Sequence, residues 1–556
     1  MNRRDLIALA GAGLTVPPYA SSAAGITKRV FDLHDYGARG DGKTKDTAAI
    51  QSAIEAAFKA GGGTVYAGSG SYLTGGIVLK DNITFYLDAG ATLLGSTDLA
   101  DYKPHPGPNP HSDVNVHHLI FARGATNLAL CGLGRIDGEG RAFWVPSKRK
   151  QIPEDFWRES VSNTFRPVDH DARPSPMLEF VQCKNLRIEG VTIANSAGWT
   201  MRPIECESVY IHSIRVRNPI TRPNTDGMDV TCCRNVFIDN CDISTGDDVI
   251  CIKSITPYGG EPSPTKNITI TNCVLTGCCN GFKIGTGTRG AFENIMFTNS
   301  VIYNEDVPLN RRNECGIAIE MVDGGSVEGI VVSNIRMQNT RTPIFVRLGN
   351  RSGNPPEGPK PGALRGVIIN NVYATGAVLT SSVTGLPGHD VEDVTLSNIR
   401  IDTVEKGQLD WINRQIPEVP RAYPSVRMFG RLPAYGFYCR HVSGLRFENV
   451  RIEARKTDPR PLLVCDDVKQ LEAAGLNGSA PAGEEPLFLF RNVQHAFIRG
   501  CYAPPGVGTF LGAEGSGTSD ISLISNDLSG AAHAAVALQG APEDAISLAG
   551  NRASRG

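Results

Sequence analysis

Residues 224–253 read NTDGMDVTCCRNVFIDNCDISTGDDVICIK. The middle of this stretch, CRNVFIDNCDIST (233–245), decides the fold, because the chain repeats it. Two runs of alternating apolar residues, around Val236 and Ile243, are joined by a polar pair that includes Asn240. Period-two alternation marks a half-buried strand, and Asn favours tight corners. The same phrase returns as CKNLRIEGVTIANS (183–196), CESVYIHSIRVRN (206–218), TKNITITNCVLTG (265–277), FENIMFTNSVIYN (292–304), VEGIVVSNIRMQN (327–339), LRGVIINNVYATG (364–376) and VEDVTLSNIRIDT (391–403). A looser version opens at residue 117 and another closes at 455. The first apolar anchors fall at Leu186, Val209, Val236, Ile268, Ile295, Ile330, Val367 and Val394, with intervals of 23 to 37 residues. A base period in the low to mid twenties with insertions is the signature of a parallel β-helix, in which each coil buries its apolar face against its neighbours. A sandwich or barrel would not keep one phrase in register so many times.

Upstream, Asp46 or Thr47 can cap a helix with Ile50, Ile54, Ala57 and Phe58 on one face, ended by Gly61-Gly62-Gly63. Such a helix covers the first coil's open interior. Two insertions, Gly349–Gly362 and Glu405–Phe437, read as loops able to wall a cleft. The tail after Val507 still carries the phrase, as thin terminal coils. At the N-terminus, Arg3-Arg4 precede a short apolar run, so residues 1–25 read as a twin-arginine-like signal peptide. Residues 26–556 then form one β-helix domain, exported to the periplasm or the exterior. No later stretch is apolar and long enough to be a membrane helix.

The 556 residues carry 55 basic and 57 acidic side chains, a formal net charge of −2, which points to neither nucleic acid nor membrane as a partner. A monomer is expected. The 14 cysteines recur at fixed coil positions: Cys183, Cys206 and Cys233 each sit three residues before an anchor. That pattern suits stacked free thiols better than disulfides. Cys232-Cys233 and Cys278-Cys279 are adjacent and lack histidine partners, which is poor zinc spacing. No metal and no cofactor is expected.

The chemistry lies in the carboxylates. Asp226 and Asp247 are 21 residues apart, about one coil, so Asp226 and the Asp247–Asp248 pair fall on adjacent rungs, about 4.8 Å apart. Glycosidic hydrolysis needs one carboxylic acid to protonate the leaving oxygen and carboxylates to activate water. Crowding raises carboxyl pKa values and keeps one proton in place. The competing reading is that aspartates after glycine are ordinary turn residues. For Asp229 that reading is preferred.

At these residues the chain resembles glycoside hydrolase family 28, the polygalacturonase and rhamnogalacturonase group. Asn224-Thr225-Asp226-Gly227 and Gly246-Asp247-Asp248 match two signature motifs of that family, and residues 35–96 look like its N-terminal cap and first coils. The resemblance implies a right-handed β-helix and an inverting mechanism, with Asp247 as acid and Asp226 and Asp248 as the base pair. Two further motifs are altered. Asn280 stands where the family has histidine, in Cys279-Asn280-Gly281, and Ala318-Ile319-Glu320 replaces Arg-Ile-Lys. Glu320 would repel a uronate, so a neutral sugar in the cleaved subsite, as in rhamnogalacturonan, fits better than plain homogalacturonan. Lys283 and Lys253 can replace the lost positive charge, or Lys283 can simply pair with Glu320 across rungs. Trp199 and Arg289 are cleft candidates, for sugar stacking and carboxylate contact, or else packed loop residues. The expected partner is a polysaccharide or oligosaccharide. Two other classes stay open: a Ca²⁺-dependent polysaccharide lyase on the same fold, and a carbohydrate-binding solenoid without catalysis.

Overall fold

The anchor residues stack one upon the next. Leu186, Val209, Val236, Ile268, Ile295, Ile330, Val367 and Val394 are paired in that order by parallel strand register, and all are buried. The computed structural model describes residues 29–106, 116–147, 168–170, 172–257, 260–354 and 358–553. The signal-like residues 1–25 lie outside these. One coil consists of Met228–Thr231, Arg234–Asp239 and Asp242–Ser244, and the next of Ile250–Ser254, Thr265–Thr271 and Val274–Thr276. Each strand pairs in parallel with its counterpart. The chain therefore winds as a right-handed parallel β-helix, the hand that parallel crossovers take.

The coil corners explain the repeated asparagines. Asn299, Asn334 and Asn371 have φ of 49°, 58° and 50°, a left-handed conformation that asparagine tolerates better than most residues. Their amides form a ladder, Asn334 donating to Asn299 and Asn371 to Asn334, each at 2.9 Å. Cysteine fills the inner side of other corners. Cys183, Cys206 and Cys233 are buried, the Cys183 N–H donates to Cys206 Sγ at 3.3 Å, and all 14 cysteines are free thiols.

Helix α1 (Thr47–Lys59) buries Ile50, Ala53, Ile54 and Ala57 over the first coil. Asp46 precedes it, but the Asp46 carboxylate accepts from Arg39 and Gly40 N–H instead of capping the helix. Among the described residues no helix is long and apolar enough to cross a membrane.

The face that matters below is built from β1 (Leu178–Val181), β2 (Met201–Ile204), β3 (Met228–Thr231), β4 (Ile250–Ser254), β5 (Asn280–Thr288), β6 (Cys315–Met321) and β7 (Thr342–Leu348). The 405–437 insertion lies on this same face. Ile416, Val426, Phe429 and Leu432 pack in one apolar cluster with Ala318, Phe345, Tyr438, Val464 and Leu489. The insertion thus covers the sheet from β6 onward toward the C-terminus.

Candidate active site

Register places the site. Val230, Ile252, Ile284 and Ile319 align and face the core, so the alternate residues Asp229, Cys251, Lys283 and Ala318 form an outward column across β3 to β6. The loops that lead into β3, β4 and β5 leave one corner of the helix and carry Asp226, Asp247–Asp248 and Asn280. Hydrogen bonds lock these loops together. Asn224 N–H donates to Asp247 Oδ2 at 3.0 Å, and Gly227 N–H to the Asp248 carbonyl at 2.9 Å. Gly246 has to be glycine, since a Cβ there would meet the Arg222 carbonyl oxygen at 2.1 Å.

Asp248 is the most heavily contacted of the three carboxylates. Its Oδ1 accepts from Asn280 N–H (3.2 Å) and Nδ2 (2.7 Å), and its Oδ2 from Lys283 Nζ at 3.0 Å. Burial pushes its pKa up, but Lys283, Lys253 and Asn280 together outweigh burial and hold it below the ordinary value. Asp226 is driven the other way. Burial, then the charges of Asp229, Asp247 and Asp248, raise it well above the ordinary range, with Lys253 opposing. Its Oδ1 is buried with no hydrogen-bond partner among the described residues. Neighbouring carboxyl groups with pKa values pushed apart are the arrangement acid–base chemistry uses. Asp247 accepts from the N–H of Asn224 and from that of Asp248, at 3.1 Å.

Asp229 departs from the sequence reading. It is not a turn residue: it lies in β3, fully buried, with Lys253 Nζ 3.4 Å from its Oδ1. Burial raises its pKa to about 7 against the pull of Lys253. The Lys253 ammonium also donates to the Thr286 carbonyl at 3.3 Å and sits 5.1 Å from the Trp199 ring centre. Trp199 is itself buried between Lys253 and Arg202, whose guanidinium pairs with Glu179 in the same column. Glu320 is buried, 3.5 Å from Lys283 Nζ, and burial lifts it to about 7. The cross-rung Lys283–Glu320 pair is therefore present, but enclosed. Arg289 stands apart from this group, exposed, donating to Ser352 Oγ at 3.2 Å in the 349–362 insertion.

Two residues that the sequence reading did not count among the site residues, Cys279 of the adjacent cysteine pair and Tyr423 of the 405–437 insertion, also reach the site. Cys279 is half-buried, and its Sγ lies within 4.8 Å of a carboxylate oxygen of Asp247 and of Asp248. These three atoms could meet a cation, although the Lys283 ammonium already neutralises Asp248 from 3.0 Å. Tyr423, on the 405–437 insertion, is 59% exposed, with Lys283 Nζ 5.6 Å from its ring centre and Arg351 5.8 Å from it. Its position depends on how a 33-residue loop folds back, which no local signal encodes.

Comparison with known proteins agrees with this geometry. A profile described as glycosyl hydrolases family 28 matches residues 73–417, and one described as rhamnogalacturonase A/epimerase, pectate lyase-like, matches residues 30–99. A probable polygalacturonase of Vitis vinifera is 26% identical over 395 residues, covering 68% of this chain and 75% of its own. The crystal structure of a hyperthermoactive exopolygalacturonase from Thermotoga maritima superposes with a TM-score of 0.55 at 27% identity, covering 68% of this chain and 89% of that one. The family 28 exopolygalacturonase of Yersinia enterocolitica shares the fold, with a TM-score of 0.53 at 20% identity over 84% and 78% of the two chains.

Proposed function

Because the chain belongs to glycosyl hydrolases family 28, and is thus a glycoside hydrolase of the polygalacturonase family, we propose that it cleaves a pectic chain with inversion. In this reading Asp247 protonates the leaving oxygen and Asp248 takes the proton of the attacking water. The observation that carries it is the electrostatic split between adjacent rungs: Lys283, Lys253 and Asn280 hold Asp248 below the ordinary carboxylate range, while burial and its acidic neighbours raise Asp226 well above it. Asp226 then holds the water beside Asp248.

The substrate follows from the charges around the column. Ala318 offers no cation, and the Lys283 ammonium is shared by Asp248 and Glu320. A uronate carboxylate in the cleaved subsite would meet acidic groups with no free cation facing it, so a neutral sugar there is favoured, as in rhamnogalacturonan. The covered sheet beyond β6 favours release from a chain end over internal cleavage. Export through the Arg3-Arg4 leader is part of the same reading, since polymeric pectin is met outside the cell.

The experiment is a screen of purified protein on branched and unbranched pectic fragments, reading reducing ends and ultraviolet absorbance, with Asp247→Asn alongside. The variant should fold, because the amide is near-isosteric and gives up only one of the two N–H contacts that the carboxylate accepts, and should lose roughly 10³-fold or more in kcat. Substantial hydrolysis by Asp247→Asn would sink the assignment. An unsaturated, ultraviolet-absorbing product abolished by a chelator would establish the lyase reading instead.

A further inference from the structure

On the N-terminal side of the acid cluster lies a positive group with no acidic partner among the described residues. The Arg222 main chain packs against Gly246, the residue before Asp247, and Thr225 Oγ1 donates to the Arg222 carbonyl at 3.0 Å. Arg222 is thus fixed four residues ahead of Asp226 in the same loop. Its side chain turns toward the N-terminal coils, where the guanidinium carbon lies 4.8 Å from the Trp144 ring centre. Trp144 is anchored in turn, its Nε1 donating to the Ala197 carbonyl at 3.3 Å in the loop that also carries Trp199.

Among the described residues Arg222 meets no carboxylate, and its Nε is buried without a hydrogen-bond partner. Burial and the charge of Arg141 depress its pKa. Arg141 is exposed and likewise has no acidic partner among the described residues. Other enclosed cations have an acidic partner, Arg202 in Glu179, Lys253 in Asp229 and Lys283 in Asp248, while the buried Arg347 donates to the Gly385 and Glu418 carbonyls; the Arg222 Nε has neither kind of partner among the described residues. The buried, unpartnered Nε of Arg222 is costly in the free protein, and an anion beside it, with the charge of Arg141 adding to the pull, removes that cost. A guanidinium over an indole still has N–H groups to offer a carboxylate, and an indole ring suits a sugar face.

We propose that Arg222, Arg141 and Trp144 form a binding subsite for the carboxylate of a uronic acid residue, on the N-terminal side of the acid cluster. This deepens the functional reading above and rests on it for the polymer's identity: a neutral sugar is cleaved at the acid cluster, and an acidic one is gripped beside it. The alternation of charge along the cleft then selects a chain that alternates acidic and neutral sugars.

The test is calorimetric binding to the Asp247→Asn protein of rhamnogalacturonan and polygalacturonate oligomers, each also offered with its carboxyls reduced to alcohols. Arg222→Gln, and separately Arg141→Gln, should weaken the acidic oligomer roughly tenfold and leave the reduced oligomer unchanged, with Arg222→Lys recovering part of the loss. The affinity for the acidic form should also fall with salt. Equal binding of acidic and reduced forms overturns the proposal. So does equal weakening of both by Arg222→Gln, or failure of both acidic oligomers to bind. If binding depends on Arg222 but no pectic fragment is ever cleaved, the subsite stands and the hydrolase reading falls.

Discussion

At the scale of single residues, Lys283 decides how the acid cluster works. It sits in the outward column one rung before Ala318, the position where the family's arginine would stand. A cation lost from one rung is thus present on the rung before, where it turns inward to Asp248 and Glu320. Its effect on catalysis has a definite sign. If Asp248 is the base, activity requires it ionised and is lost as pH falls through its pKa. Lys283 holds that pKa low, so Lys283→Met moves the acidic limb of the kcat/KM profile to higher pH, by about one unit or more. A profile with an unmoved acidic limb would remove Asp248 from the role of base. Asp226, Asp247 and Asp248 could be grouped from sequence once the coil length was known, because the solenoid turns 21 residues into one rung. Asp229 and Cys279 were not grouped with them, since Asp229 joins through its strand, in the outward column beside Lys253, and Cys279 through where its side chain settles at a corner.

At the scale of the element, the corner ladder carries the register. Asn334 holds φ at 58° while its amide bonds upward and downward to Asn371 and Asn299. Replacing it by Gly keeps the backbone at ease and loses only the amide bonds. Replacing it by Ala loses the bonds and strains the backbone as well, by about 1 kcal/mol more. Asn334→Ala should therefore unfold at lower urea than Asn334→Gly, both below wild type; a reversed order would mean that the ladder, and not the backbone conformation, selects asparagine. The strands were legible because inward alternation repeats with one asparagine per corner, and the helix because Ile50, Ile54 and Ala57 keep helical spacing ahead of three glycines. The cap was misread at Asp46, whose carboxylate serves Arg39 and Gly40, since which N–H groups it meets depends on a turn that precedes the helix.

At the scale of the whole molecule, the cleft is asymmetric along the solenoid axis. Toward the C-terminus the 405–437 insertion seals the sheet with Ile416, Val426, Phe429 and Leu432, and Tyr423 stands at its edge beside Lys283. Toward the N-terminus lie Trp144 and Arg222, ring centre and guanidinium carbon 4.8 Å apart. The insertion itself was visible in sequence as an overlong interval, but not that its apolar residues turn down onto the sheet, because that depends on partners up to about 150 residues away in rungs not yet formed. If, as proposed above, the covered sheet makes the enzyme act from a chain end, a polymer does not run past Tyr423 and only its end reaches the acid cluster. Cleavage then releases short fragments from the first turnover and leaves the polymer long. On a soluble pectic substrate, viscosity should fall by only a small fraction while reducing ends accumulate. A steep early loss of viscosity per bond broken would show that chains pass through the cleft, and that the insertion lifts from the sheet in solution. Tyr423→Ala removes only an exposed ring at that wall, so it should raise KM several-fold with kcat and product length nearly unchanged; longer first products from this variant would make Tyr423 itself, and not the packed insertion behind it, the barrier.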